Sequence, residues 1–124
     1  MNATNQGELF TSFPALYKEL PYFECEDGWF QLLRDLSEKL SKLGVVARQV
    51  KEKFGGLRFY FDFDFKDGPD MWSHPEADKL VEEAEKLSYT ICEVTGKPGK
   101  PRDDIGWLRT LCDEEYEKAK AKLS

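Results

Sequence analysis

Histidine occurs once, cysteine three times and methionine twice among the 124 residues. No apolar run approaches the roughly 20 residues that a membrane-spanning helix needs, so no membrane partner is expected. The single histidine, His74, lies beside Pro75 with no serine or cysteine motif near it, which leaves no material for a nucleophile–histidine–carboxylate arrangement. The three cysteines, Cys25, Cys92 and Cys112, cannot all pair within one chain, and a disulfide framework is excluded. Residues 1–10 carry neither a basic flank nor an apolar stretch of secretory type. These absences point to a reduced, soluble, cytoplasmic protein. A Walker-type phosphate loop is missing, and no motif calls for a cofactor. Positive charge is also in deficit: 18 Lys and Arg against 24 Asp and Glu give a net charge of -6. Whole-molecule attraction to nucleic acid or anionic lipid is therefore disfavoured, and any anion site must be a local patch.

What the chain does have is a large apolar and aromatic share, 40% and 14%, with 9 Phe, 5 Tyr and 3 Trp. That supports one packed domain of typical size. Residues 1–8 are polar and aperiodic and are expected to be flexible, with a single α+β domain over 9–124. Ser12 followed by Pro14 predicts a short helix ending at Pro21. Trp29, Leu32, Leu33, Leu36, Leu40 and Leu43 recur at helical spacing, between Asp27 as N-cap and Gly44 as terminator. From Val45 the period becomes two. Gly55-Gly56 suits a two-residue turn, which predicts an antiparallel hairpin with Phe54 opposite Leu57, Val50 opposite Phe61 and Val46 opposite Phe65. Arg48 and Glu52 then fall on the apolar face, so they must reach an edge, find partners or mark a bulge. Lys66 to Asp70 reads as a turn. Ser73 and Glu76 form a capping box for a helix with Ala77, Leu80, Val81, Ala84 and Leu87 inward. The stretch Gly96 to Pro101 suits only short extended segments. Thr110 is expected to cap a last helix that turns Cys112, Tyr116, Ala119 and Leu123 inward.

Two sets of residues could carry chemistry. On the hairpin face opposite the aromatic stripe, the predicted register sets Lys53 across from Arg58 and Lys51 across from Tyr60. Like charges facing one another in a sheet are destabilising. Either Asp62, Asp64 or carboxylates of another element neutralise these cations, or an anion does. An arginine fork, two mobile ammonium groups and a tyrosine ring would together suit a nucleotide-like ligand. Trp107 and Arg109, two apart in an extended segment, would share one face, with Trp107 either a core residue or a platform for the same class of ligand. The second set is Cys92-x-x-Thr95 and Cys112-x-x-Glu115, two knuckle-like segments in which each second cysteine is replaced. A structural zinc needs four ligands, so no metal is expected.

Gly28-Trp29, the hairpin run from Lys51 to Tyr60, Cys92-Glu93, Gly96, Pro98-Gly99, Gly106-Trp107 and Thr110-Leu111-Cys112 resemble a family of small phage and prophage proteins of uncharacterised function, over roughly residues 28 to 116. Its members keep both cysteine pairs, so Thr95 and Glu115 are departures from the pattern. The resemblance carries no catalytic assignment. It implies a small accessory protein working inside an infected bacterium. The expectation is a non-enzymatic counter-defence protein that sequesters a small anionic, nucleotide-like host signal through Lys51, Lys53, Arg58, Tyr60, Trp107 and Arg109. An acidic inhibitor that binds a host defence complex is the alternative, and a degenerate zinc-ribbon nucleic-acid binder the third. Self-association is left open.

Overall fold

The computed structural model describes residues 1–63 and 74–123. It is an α+β fold of four helices and two small antiparallel sheets: α1 (Ala3–Ser12), a 3₁₀ turn (Asp27–Trp29) running into α2 (Phe30–Leu40), β1 (Val45–Lys53), β2 (Gly56–Phe63), α3 (Pro75–Ser88), β3 (Lys100–Arg102), β4 (Arg109–Leu111) and α4 (Asp113–Ala121). Asp64, Phe65, the expected turn at 66–70 and Ser73 lie outside the described residues.

The N-terminus corrects the expectation of a flexible 1–8. Asn2 caps α1, its side chain accepting from the Asn5 N–H at 2.8 Å. The polar residues that looked like disorder are tertiary linkers. The Asn2 N–H and the Asn5 amide both donate to Asp27 Oδ1, and Gln6 Oε1 accepts from the Phe23 N–H at 2.9 Å. Asp27 is thereby drawn away from capping α2, whose N-cap residue is Trp29, with no side-chain cap. The helix expected after Ser12 is a run of turns that nevertheless buries Leu16, Tyr17 and Leu20.

The main core forms where the leucine stripe of α2 and Trp29 meet Val45, Ala47, Val50, Leu57 and Phe59 of the hairpin, flanked by Ala77 and Ala84 of α3. Tyr17 closes it with edge-on contacts to Phe10 and Phe23, which meet each other at a tilt. The outer edge of β1 is covered: Ala47 N–H donates to Leu16 O, Glu24 N–H to Val50 O, and Glu52 N–H to Glu24 O.

The hairpin turns one residue earlier than Gly55-Gly56. Phe54 (φ 55°) and Gly55 (φ 81°) occupy the two left-handed positions, and Lys53 pairs with Gly56, Lys51 with Arg58 and Val50 with Phe59. A phenylalanine costs about 1–2 kcal/mol there. Tertiary contacts offset it. A Cβ on Gly56 would lie 2.3 Å from the Tyr89 hydroxyl, so Gly56 belongs in the strand under that ring. Glu52 Oε2 accepts from the Gly55 N–H at 2.7 Å and Thr110 Oγ1 donates to Gly55 O at 2.7 Å. The pairing slides by two along β2, which leaves the faces as predicted as far as Gln49. There a bulge between Ala47 and Gln49 takes up Arg48, so Ala47 and Val45 replace Arg48 and Val46 on the core side. Val46 is opposite Asp62, not Phe65.

The smaller unit gathers Cys92, Ile105, Leu111 and Cys112. It is tied to the main core by Trp29 Nε1 donating to Ile91 O at 3.0 Å and by Gly28 N–H donating to Glu93 O at 2.7 Å. Its sheet, β3 with β4, is the pair of short extended segments expected around Pro101. Thr110 lies in β4 and does not cap α4; the N-cap is Cys112.

Candidate functional site

Of the hairpin cations, Arg58 is satisfied within the chain. Its Nη1 lies 2.9 Å from Glu85 Oε1 of α3 and 3.3 Å from the Tyr89 hydroxyl, and its side chain is mostly buried. The Tyr89 hydrogen bond is the chief cause that raises its pKa further. Lys51, directly opposite Arg58, holds its Nζ 5.8 Å from the centre of the Tyr60 ring. That is the ring face on which a base would have to stack. Lys53 is paired across the hairpin with Gly56, not Arg58, and its Nζ sits 5.5 Å from the Phe54 ring. Asp62 answers Arg48 at 3.5 Å instead of the outward cations. Lys51, Lys53, Arg58 and Tyr60 therefore do not converge on one point: a carboxylate of another element neutralises the arginine, and the two lysines rest on separate rings.

Trp107 and Arg109 do come together. Both line a cavity of about 450 Å³ between the segment Ile105 to Arg109 and α4, whose Glu115, Lys118 and Ala119, with Lys122 and Leu123 just past its end, complete the wall. The indole is 63% exposed, too open for a core residue. Arg109 reaches Glu26 Oε2 at 2.7 Å, and Lys118 reaches Glu115 Oε1 at 3.2 Å. Lys118 and Lys122 were not singled out from the sequence. Their spacing of four puts them on one face of α4, beside the apolar Ala119 and Leu123, and that spacing was the available signal. An apolar floor, a platform ring and three cations, two of them answered by Glu26 and Glu115, make a concave patch with one cation in excess on an acidic protein.

Behind Arg109 lies a carboxyl that sequence reasoning missed. Glu93 is 4% exposed, and its Oε2 accepts from the Glu26 N–H at 3.2 Å. Burial pushes its pKa up to about 7; the Glu26 N–H opposes this, Glu52 and Glu26 add to it, and Arg109 opposes it. Cys25 feels the same field: burial first and then Glu93 push its thiol up to about 12.

Cys92 and Cys112 are both buried, with Thr95 Oγ1 3.6 Å from Cys112 Sγ. Among the described residues, no three His, Cys, Asp or Glu side chains are grouped so as to hold a metal ion. Two thiols and a hydroxyl fall short of the donor set of a structural zinc. His74 is the N-cap of α3, its Nδ1 accepting from the Ala77 N–H at 3.2 Å. Among the described residues, no helix is long and apolar enough to cross a membrane. In comparisons with protein families, with curated proteins and with solved structures, nothing matches the chain.

Proposed function

We propose that this protein is a non-enzymatic binder of a small anionic, nucleotide-like ligand, and that the ligand lies in the cleft of Trp107, Arg109, Lys118 and Lys122. The observation that carries this reading is the exposed indole set against three cations in a cavity of about 450 Å³. A base stacked on an aromatic ring contributes about 1–3 kcal/mol. Each charge-assisted bond to a phosphate adds about 1.5–3 kcal/mol before the cost of association. Arg109 supplies the planar fork, released in part from Glu26. The lysines supply flexible ammonium groups that adapt to more than one phosphate position. Glu115 is the one lining side chain that could act as a base, and its ion pair with Lys118 favours a structural role there, in keeping with binding without turnover. The resemblance to small phage and prophage proteins supports the setting, an accessory protein in the cytoplasm of a bacterial host that sequesters a defence signal.

A second reading has its own observation. Phe54, 64% exposed, and Trp107 flank the point where Gly55 packs on Leu108, and exposed aromatics of this kind anchor protein partners. An inhibitor of a host defence complex would use that patch, with the acidic balance of the whole chain favouring a basic partner.

Affinity capture from bacterial lysate, followed by mass spectrometry of the heat-released small molecules, separates the two. The expected result is a nucleotide peak that Trp107→Ala and Arg109→Ala each reduce at least tenfold and that Lys53→Ala leaves unchanged. Capture of a protein with no small molecule, unaffected by Arg109→Ala, would overturn the ligand reading.

A further inference from the structure

The two cysteines left over from the metal-knuckle pattern are brought against one another. The position that a Cβ on Gly99 would occupy lies 2.9 Å from Cys92 N and 2.9 Å from the carbonyl carbon of Leu111, the residue before Cys112. The backbones of the two cysteine segments thus meet across Gly99. The Glu93 N–H donates to Thr110 O at 3.1 Å and fastens the same two segments side by side. The Thr95 hydroxyl lies 3.6 Å from Cys112 Sγ, and Thr95 stands in the turn that begins at Cys92 and is closed by Gly96 N–H donating to Cys92 O at 2.9 Å.

We propose that Cys92 and Cys112 form a peroxide-sensitive dithiol, a modification site that closes to an intramolecular disulfide. Cys92 is the attacking sulfur. Burial works against its thiolate, but the Thr95 hydroxyl and the nearby N–H groups of Cys112, Thr95 and Val94 favour the charged form and lower its pKa. Its thiolate attacks one oxygen of hydrogen peroxide; the O–O bond breaks, Cys92 becomes a sulfenic acid, and the departing hydroxide takes up the proton that Cys92 had released, as water. The Cys112 sulfur then attacks the Cys92 sulfur. The S–O bond breaks, the second hydroxide leaves with the Cys112 proton as a second water, and Thr95 gives up its contact with Cys112 Sγ. Two thiols have lost two electrons in all, and one peroxide has gained them.

Access comes through α4. Cys112 is its N-cap, and the helix contains no buried residue, with Tyr116 and Ala119 only partly buried against the small core, so its local opening is a route for a molecule as small as peroxide. Cys25 is an internal control. It is equally buried, belongs to the main core, and has its thiol pushed up to about 12. Closure would fix the N-terminus of the helix that carries Glu115, Lys118 and Lys122, one wall of the cleft.

The full chain treated with hydrogen peroxide at neutral pH, then alkylated with N-ethylmaleimide in denaturant and mapped by mass spectrometry, tests this directly. The expected result is a loss of two of three thiols, a peptide cross-linked through Cys92 and Cys112, a single maleimide on Cys25, and full reversal by dithiothreitol. In Cys112→Ser the reaction should stop at the sulfenic acid, trapped on Cys92 by dimedone. If that variant does not fold, the wild-type map decides alone. A bridge to Cys25, irreversible oxidation of Cys92 with Cys112 free, or three intact thiols under conditions that oxidise the urea-unfolded chain would each overturn the proposal.

Discussion

Glu93→Gln is expected to stabilise the protein at pH 8 and to leave it almost unchanged at pH 5. In the unfolded chain this carboxyl loses its proton near the ordinary glutamate value of 4.5; in the folded chain it does so only at about 7. Between those limits the folded state holds a proton that the unfolded state has lost, so stability falls as pH rises, and the penalty is complete above about 7. One tenfold change in proton affinity corresponds to about 1.4 kcal/mol, which puts the cost of ionised Glu93 at no more than about 3.5 kcal/mol. Relaxation around the charge lowers that figure, and about 2 kcal/mol is a working expectation. The structure names the cause: a carboxylate 4% exposed, with Glu26 and Glu52 close by, and one Arg109 shared with Glu26. Glutamine keeps an oxygen for the Glu26 N–H and removes the charge. Urea unfolding followed by circular dichroism at pH 5, 6, 7 and 8, at constant ionic strength, measures the difference between variant and wild type, from which other titrations cancel. With an m-value of about 1–2 kcal/mol/M, the midpoints should separate by about 1–2 M at pH 8 and close towards pH 5. A separation that is constant with pH, or that widens towards acid, would refute the reasoning.

Gly28→Ala should cost about 3 kcal/mol or more in thermal melts, because its Cβ would lie 2.1 Å from Cys92 O and 2.4 Å from Glu93 O, backbone atoms that cannot step aside. Gly56→Ala should cost about 1–3 kcal/mol through the Tyr89 ring, and the double variant with Tyr89→Ala should recover part of that loss. A neutral Gly56→Ala would mean a different hairpin register. Arg58→Ala should lower stability by about 1–2 kcal/mol, since it leaves Glu85 and the Tyr89 hydroxyl without their partner, whereas Lys53→Ala should stay within about 0.5 kcal/mol. Elemental analysis should find no stoichiometric zinc, and a chelator should not move the Tm; a Tm that collapses with chelator would show that metal drives folding.

The contrast between Arg58 and Arg109 shows what a single sequence can and cannot locate. Period-two alternation assigned Arg58 to the outward face of β2 and placed Trp107 and Arg109 on one side of an extended segment, and both cleft residues do line the same cavity. Periodicity fixes a face; it does not fix who stands opposite. Glu85 of α3 and Tyr89, the residue that caps its end, reach Arg58 only because that helix ends over Gly56, a contact with no local signature. The same limit explains the turn. Both glycines matter, but Gly55 for a left-handed φ and Gly56 for the close approach of Tyr89, so the pairing slid by two while side chains kept their faces as far as Gln49. The 3.6-residue stripe of α2 was legible because its burial partner can be any apolar surface. Arg48 was legible as a problem, a charge on an apolar face, and the bulge is its solution. Asn2, Asn5 and Gln6 were not legible: their use is to hydrogen-bond loop residues Phe23 and Asp27, and composition cannot distinguish an amide that finds a partner from one left in water.

That limit bears on where a ligand can act. An outward cation in a hairpin next to a glutamate-rich helix already has its anion, and a ligand arriving there must displace Glu85 from a mostly buried arginine, losing most of what it gains. The cleft sets a different balance. Its arginine is tied to the exposed Glu26 and Lys118 to Glu115, each by one carboxylate, and Lys122 adds a third cation without adding an acid to the wall. Salt should therefore weaken ligand binding at the cleft by screening, while leaving the Arg58 contribution to stability less affected because the neutral Tyr89 hydroxyl holds that arginine beside Glu85. Binding measured in 50 mM and 500 mM salt, beside melts of Arg58→Ala in the same buffers, tests both halves of that argument. A ligand affinity indifferent to salt, with an Arg58→Ala penalty that disappears at high salt, would reverse the assignment and return the anion site to the hairpin.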